Sequence, residues 1–222
     1  MNFRLWNLSA RDNLNLYVFL GVLVLVGAIF GAMVVHSFTL DQQQELADAI
    51  GVYLTQAGSQ GEGSAVSPAL AFRESFFFYG KWLLLIWFLG LSVIGLPFVF
   101  VLDFLKGVLI GFAAAVLAQQ FAWKGVLFFL LATGPRNALV VPALMIASLS
   151  AAKFAYFVVR ERLFRRKGQL LPPFLAHTAV AAAMLLVLCV ASLYEAFLSP
   201  NLLDRIAPSV SAQEVSTLSS KF

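Results

Sequence analysis

Long apolar stretches that carry almost no charge constrain the fold of this chain more than any other feature. No charged residue occurs between Asp12 and Asp41, and none occurs between Lys81 and Asp103. At about 1.5 Å per residue, about 20 residues in a helix cross the roughly 30 Å hydrocarbon layer of a bilayer. The chain is 61% hydrophobic and only 12% charged, whereas a soluble domain has about 25% charged residues. We therefore predict an all-α polytopic integral membrane protein.

Five transmembrane spans are expected within a single membrane domain that covers residues 1–222. A further apolar stretch over 121–133 has only about 13 residues, too few to cross, so we expect a re-entrant or interfacial helix there. An acidic loop over 36–74 follows the first span, and a basic loop over 160–167 follows the fourth. The five spans are expected at about 16–35, 76–94, 98–117, 138–159 and 174–196.

The basic residues predict the orientation of the chain. The positive-inside rule assigns the loop 160–167 and the arginines of the N-terminal segment to the cytoplasm. An even number of crossings must separate the two, which four spans satisfy only if residues 121–133 do not cross. The loop 36–74 and the tail 197–222 are then extracytoplasmic. Two prolines and several serines in this tail favour little regular structure.

Scarce cysteine and histidine argue against a metal centre. With one cysteine and two histidines, the chain cannot form an intramolecular disulfide, a multi-cysteine metal site or the usual zinc cluster. The net charge of +4 is explained by membrane orientation, so nucleic acid is not expected as a partner. Neither a Walker lysine nor a nucleotide-binding glycine loop occurs, and His36 and His177 lack a serine or carboxylate at catalytic spacing. We expect no catalytic residue, no metal and no cofactor.

Two charged residues within the third span are candidate functional positions. Asp103 and Lys106 lie three apart on one predicted helix, so their side chains can pair. Each alone would cost roughly 2.5–3.5 kcal/mol near the bilayer centre. In one interpretation the pair lies near the cytoplasmic end, where Lys106 snorkels and Asp103 neutralises it. In the other, the pair contacts another helix or another subunit.

Proline and glycine predict two interruptions of the helices. The sequence Gly95-Leu96-Pro97 favours a tight turn or kink between the second and third spans. The sequence Gly134-Pro135-Arg136-Asn137, followed by Pro142, predicts a helix break after the short apolar stretch. Backbone groups freed within the membrane are tolerated only where they are buried in protein or line water. This second position is either the polar cap of a helix break or an ion or substrate site.

Two small-xxx-small patterns favour close helix packing. They are Gly27 with Gly31 in the first span and Gly107 with Gly111 in the third. Residues without bulky side chains at this spacing let two helix backbones approach each other. The packing partner is another helix of the same protomer or a second copy in a homo-oligomer; in a third interpretation the patterns occur by chance and have no packing role.

The acidic loop contains a segment with helical periodicity. Asp41 is a suitable helix cap, apolar residues repeat at helical spacing after it, and Gly58 ends the pattern. We predict an amphipathic helix over 41–57, which is large enough to dock a partner. The candidate docking residues on its apolar face are Leu46, Ile50 and Tyr53.

Several short sequences, taken in order, resemble the stage II sporulation protein M family. The resemblance covers about Leu5 to Arg160, whereas the basic loop and the fifth span agree in layout rather than in residues. The sequences that carry it are Leu5-Trp6-Asn7, Gly27-Ala28-Ile29-Phe30-Gly31-Ala32, Leu89-Gly90-Leu91-Ser92-Val93-Ile94-Gly95-Leu96-Pro97, Phe104-Leu105-Lys106-Gly107-Val108-Leu109-Ile110-Gly111-Phe112, and Pro135-Arg136-Asn137 with Pro142.

This resemblance implies a function that hydropathy alone does not reveal. Members of the family are membrane proteins of endospore-forming bacteria that act in engulfment of the forespore. They are scaffolds that recruit two peptidoglycan hydrolases, the amidase-type sporulation protein P and the lytic-transglycosylase-type sporulation protein D, to the septum. The resemblance thus implies a non-enzymatic scaffold of the bacterial cell membrane, surrounded by lipid and concentrated at the septum, where the partners remodel the wall.

A second function is compatible with the same residues. The charged pair Asp103 and Lys106, together with the predicted helix break at Gly134-Pro135, is also typical of a transport path through the membrane. The chain would then be a membrane permease or transporter subunit. Because it carries no nucleotide-binding motif, it would work with a separate ATPase partner.

Overall fold

All regular structure that the chain adopts in the described ranges is helical. The computed structural model describes residues 10–39, 41–42, 45, 68–159 and 170–219, and these ranges contain no strand. The helices are α1 (Ala10–His36), α2 (Pro68–Gly90), α3 (Leu96–Phe157) and α4 (Leu171–Ser219).

Four helical stretches are long and apolar enough to cross a membrane. They are Leu14–His36, Leu96–Gln119, Thr133–Phe157 and Leu171–Phe197. The prediction of an all-α polytopic membrane protein is therefore confirmed. The span expected at 76–94 falls on α2, which ends at Gly90, and on the turn that follows it.

Helix α3 folds back on itself. It has 62 residues, so the ends of a straight helix would lie about 90 Å apart. Asp103 nevertheless lies beside Ser148, which requires the chain to reverse its direction between these two residues. We refer to the first stretch, Leu96–Gln119, as α3a and to the second, Thr133–Phe157, as α3b. The two halves are antiparallel, and residues 120–132 join them at one end of the bundle.

The predicted helix break at Gly134-Pro135 is wrong. Helix α3 continues through Pro135 and Pro142 and ends at Phe157. Each proline removes one backbone hydrogen bond and bends a helix without necessarily ending it, provided that neighbouring helices hold the two parts in place. Here α4 packs against α3, and α2 packs against both.

A tight turn over residues 91–95 joins α2 to α3. Ser92 N–H donates to the Leu89 carbonyl at 3.1 Å, and Gly95 N–H donates to the Ser92 carbonyl at 3.1 Å. A Cβ on Gly95 would overlap the Leu89 carbonyl oxygen, so the turn requires glycine at this position. Pro97 lies in the first turn of α3, where a missing N–H costs nothing. The turn predicted from Gly95-Leu96-Pro97 is confirmed.

The apolar core lies between α2, both halves of α3, and α4. Helix α3b is the central element, because 61% of its apolar stretch is buried against 17–33% for the other three. The buried residues of this core are Tyr79, Leu83, Ile86, Val99, Val140, Ala143, Leu144, Ala147, Ala151, Leu188 and Ala191.

Two predicted regions lie wholly or almost wholly outside the described residues. Of the helix predicted over 41–57, only residues 41, 42 and 45 are described, and they are helical. The docking residues Leu46, Ile50 and Tyr53 and the basic loop 160–167 are not among the described residues.

The tail has more regular structure than the sequence predicts. Helix α4 continues to Ser219 and includes both Pro200 and Pro208. The expectation of little regular structure after residue 196 is therefore wrong. Each of these isolated prolines removes a single helical hydrogen bond, which the flanking turns tolerate.

Candidate functional site

Glycines bring α1 into close contact with α3a. The four glycines at this crossing are Gly27 and Gly31 of α1 and Gly107 and Gly111 of α3a. A Cβ on Gly31 would overlap the Val108 carbonyl oxygen, and a Cβ on Gly111 would overlap the Ala28 carbonyl oxygen. Each helix thus presents its glycines to the backbone of the other. Both small-xxx-small patterns pack against each other within one protomer.

Aromatic pairs extend this contact along both helices. Their ring centroids lie 5.5–5.9 Å apart, within the range of favourable aromatic contacts. Residue numbers rise together on the two helices, so α1 and α3a are parallel. The pairs are Phe19 with Phe100, Phe30 with Phe104, and Phe38 with Phe112.

Lys106 lies in a cage of three aromatic side chains from α2. Its Nζ atom is 5.6 Å from the ring centroid of Phe78, 5.4 Å from that of Tyr79 and 5.8 Å from that of Trp82. A cation at these distances is attracted by the ring faces, most strongly where water is excluded. Lys106 is only 7% exposed, so its ammonium group stays inside the protein. The snorkelling interpretation is wrong.

Asp103 does not pair with Lys106. The ion pair found among the described residues joins two other side chains, and Asp103 is 2% exposed. Its neighbour is the hydroxyl of Ser148 on α3b. Oδ2 of Asp103 and Oγ of Ser148 nevertheless both lack a hydrogen-bond partner. Lys106 and Asp103 therefore contact different neighbours, the first on α2 and the second on α3b.

Arg136 binds Glu195, which lies 59 residues further along the chain. Nη1 of Arg136 donates to Oε1 of Glu195, and the Tyr79 hydroxyl donates to Oε2 at 3.0 Å. The guanidinium also lies 6.0 Å from the Tyr79 ring centroid. The two charged side chains are 29% and 21% exposed, so the pair lies at the edge of the core. One carboxylate thereby links α2, α3b and α4.

Sequence reasoning missed this ion pair because Arg136 has no acidic neighbour along the chain. A detectable signal does exist. Arg136 and Glu195 carry opposite charges and lie near the corresponding ends of two apolar stretches that run in opposite directions. A search for such charges across predicted antiparallel spans would have suggested the pair.

His177 forms a second buried polar contact between helices. Nδ1 lies 2.9 Å from Oγ of Ser150 on α3b, and Nε2 lies 3.4 Å from the carbonyl oxygen of Trp87 on α2. The Trp87 carbonyl is in the last turn of α2, where helical partners are missing. If Nε2 carries the proton, it donates a hydrogen bond to this carbonyl, and Nδ1 accepts a hydrogen bond from the Ser150 hydroxyl. Trp87 Nε1 also donates to Oγ1 of Thr178 at 3.3 Å.

A serine does lie beside His177, although the sequence has none at catalytic spacing from it. The serine comes from another helix, 27 residues away, so spacing in the sequence does not reveal it. A backbone carbonyl, and not a carboxylate, faces the second ring nitrogen. Because this ring caps α2 and binds α3b, its geometry is that of a link between helices.

The remaining candidates in α3b are half-buried. Pro135, Asn137 and Pro142 all lie on this half of α3, the first two beside Arg136 in sequence and the third less than two turns beyond it. The structure thus gathers Lys106 and Arg136 around Tyr79. It separates Gly107 and Gly111, which face α1, from this polar cluster.

A comparison with protein families gives a match over most of the chain. The family model described as Stage II sporulation protein M matches residues 20–200, which is most of the chain. This range continues past Arg160, where the resemblance in residues ends, and includes the membrane stretch of α4. No curated protein and no solved structure matches the chain.

Proposed function

Because this chain belongs to the stage II sporulation protein M family, we propose that it is a non-catalytic scaffold that recruits peptidoglycan hydrolases to the sporulation septum. Family membership makes it a sporulation-related membrane protein. The proposal adds the engulfment step and two partners, sporulation proteins P and D. Hydrolysis of the wall is then carried out by these partners, and the membrane protein determines where they act.

The family match is the observation that carries this proposal, and the polar contacts between helices agree with a bundle of fixed shape. Lys106 binds aromatic rings of α2, Arg136 binds Glu195 of α4, and His177 binds Ser150 of α3b. Interhelical contacts of this kind hold membrane helices in fixed relative positions. Polar side chains that bind each other serve to fix the bundle, which is what a protein needs in order to hold a partner at one location.

We infer a topology of five crossings with a cytoplasmic N-terminus. The helix directions support it, because α1 and α3a are parallel, whereas α2 and α3b run the opposite way and α4 is antiparallel to α3b. Residues 120–132 begin and end at the same end of the bundle, as expected of a re-entrant or interfacial segment. The chain between α1 and α2 and the end of α4 then face the septal wall.

A pull-down in mild detergent tests the choice of partners. The tagged protein is isolated from cells early in spore formation, and the bound proteins are identified by mass spectrometry. We expect both hydrolases to be recovered. Recovery of a cytoplasmic ATPase without either hydrolase would contradict the proposal and favour the transporter subunit.

The acidic loop is the proposed docking surface. Replacing Leu46 and Ile50 by lysine disrupts the apolar face of the helix predicted there, so recovery of the hydrolases should fall while the amount of protein in the membrane stays constant. The control replaces Gln44 and Thr55 by lysine, which adds the same charge on the opposite face at helical spacing. Equal loss of the hydrolases in both variants would contradict an apolar docking face.

A further inference from the structure

A buried carboxyl group and a buried hydroxyl lie next to each other between the two halves of α3, and the ion pair and the ring contacts do not include them. Asp103 of α3a is 2% exposed, and Ser148 of α3b is 0% exposed. Although the two side chains are neighbours, Oδ2 and Oγ both lack a hydrogen-bond partner. Buried polar atoms without partners are rare in folded proteins and require an explanation.

The charged and titratable groups around Asp103 are engaged elsewhere. Lys106, one turn further along α3a, lies among the rings of α2. Arg136 binds Glu195, which also accepts a hydrogen bond from the Tyr79 hydroxyl. Other such groups lie on each packed helix. Among the side chains that the structure describes, they are Tyr17 and His36 on α1, Arg73, Glu74 and Lys81 on α2, Lys153 and Tyr156 on α3b, and His177, Cys189 and Tyr194 on α4.

None of these groups forms an ion pair with Asp103 among the described residues. His177 contacts Ser150 and the Trp87 carbonyl, and His36 lies 3.4 Å from Gln119 near the other end of α3a. Lys153 lies five residues beyond Ser148 and is only half-buried. An ionised Asp103 would therefore be a buried negative charge without a cation beside it.

We propose that Asp103 is a proton-binding site, at which the carboxyl group is held as a neutral acid between α3a and α3b. Burying an unpaired carboxylate costs far more than burying the neutral acid, so the group takes up a proton. The neutral acid has an O–H donor, and the Ser148 hydroxyl beside it is an available acceptor. A hydrogen bond from this O–H group to the Ser148 hydroxyl would satisfy both atoms. A protonated aspartic acid then links the two halves of α3.

Replacing Asp103 by asparagine distinguishes a neutral carboxyl group from an ionised carboxylate. The asparagine side chain matches the neutral acid in size and can donate a hydrogen bond, but it cannot carry a charge. Asp103→Asn in the full-length protein should therefore unfold at the same temperature as the wild type in mild detergent. A midpoint lowered by about 5 °C or more, which corresponds to the loss of a substantial interaction, would overturn the proposal.

Infrared spectroscopy reads the protonation state directly. The wild-type protein at pH 7 should show the C=O stretch of a protonated carboxyl group, and Asp103→Asn should lack it. Ser148→Ala should shift the frequency of this band, because it removes the hydrogen-bond partner, but should not change the intensity of the band. Glu195→Gln should leave the band unchanged, because the Glu195 carboxylate is ionised and bound to Arg136. A wild-type spectrum with no band that Asp103→Asn removes would overturn the proposal.

A bound metal cation is the competing explanation for a buried carboxylate. We expect the same unfolding temperature in sodium chloride and in choline chloride at equal ionic strength. If sodium raises the unfolding temperature of the wild type but not that of Asp103→Asn, Asp103 binds a sodium ion and the proton assignment is overturned.

Discussion

Replacing Gly111 by alanine perturbs the contact between α1 and α3a at its closest point. The added Cβ would overlap the carbonyl oxygen and the carbonyl carbon of Ala28, and backbone atoms cannot rotate away as a side chain can. The two helices must therefore move apart at this position. Because Gly31 and Gly107 belong to the same crossing, the separation also weakens their contacts with the facing backbone.

The expected loss of stability follows from two opposing effects. Overpacking of a well-packed interface costs about 1–3 kcal/mol, while alanine in place of glycine within a helix recovers up to about 1 kcal/mol. Because the overlap is with backbone atoms, the cost lies in the upper part of this range, at about 2–3 kcal/mol. We therefore expect Gly111→Ala to lower the free energy of unfolding by about 1–2 kcal/mol, which is a factor of about 5–30 in the folding equilibrium.

Gly80 provides a matched control in α2. A Cβ at this position would meet no heavy atom within 4 Å, so Gly80→Ala retains the gain in helix propensity without the overlap and should stabilise by about 0.5–1 kcal/mol. Both variants are unfolded reversibly in mixed detergent micelles and followed by tryptophan fluorescence. If Gly111→Ala is as stable as Gly80→Ala, the close crossing of α1 and α3a is refuted.

Three further predictions concern the polar contacts. Tyr79→Phe keeps the ring but removes the 3.0 Å hydrogen bond to Glu195, so detergent unfolding should show a loss of about 1–2 kcal/mol; an unchanged stability would contradict the bond. Arg136→Leu and Glu195→Leu should each destabilise by about 1–2 kcal/mol, less than for a fully buried pair because both side chains are partly exposed. The double variant should lose less than the sum, and strict additivity in this double-mutant cycle would argue against the pair. Ser150→Ala leaves a buried imidazole nitrogen of His177 unpaired and should cost about 1–3 kcal/mol of stability. Ser192→Ala removes only a hydrogen bond to a carbonyl of its own helix and should cost less. The thermal unfolding midpoint should therefore be lower for Ser150→Ala than for Ser192→Ala, and the reverse order would contradict the His177 contact.

Hydropathy predicts the class of this fold because lipid imposes a simple rule. Every apolar stretch of about 20 residues is stable as a helix in the bilayer, whichever helices surround it. The turn at Gly95-Leu96-Pro97 is also predictable, because proline suits the first turn of a helix and disfavours helical geometry in the residue before it. These features depend on local sequence alone.

The contacts between helices could not be predicted in the same way. Arg136 and Glu195 meet because α3b and α4 are antiparallel neighbours, and periodicity contains no information about which helices pack together. Lys106 stays inside because α2 provides three rings at its level, which removes the need to reach the headgroups. Pro135 does not end its helix because the flanking helices hold both parts in place. Each difference arises from tertiary packing that overrides a local preference.

We propose that this protein determines where the hydrolases act, and the position of the hydrolases in living cells tests this proposal. Fluorescent sporulation protein P is imaged during engulfment in cells with the wild-type protein, in cells without it, and in cells with Leu46→Lys and Ile50→Lys together. We expect fluorescence concentrated at the septum only with the wild-type protein, and dispersed fluorescence in the other two strains. Unchanged septal fluorescence in cells that lack the protein would contradict the scaffold role.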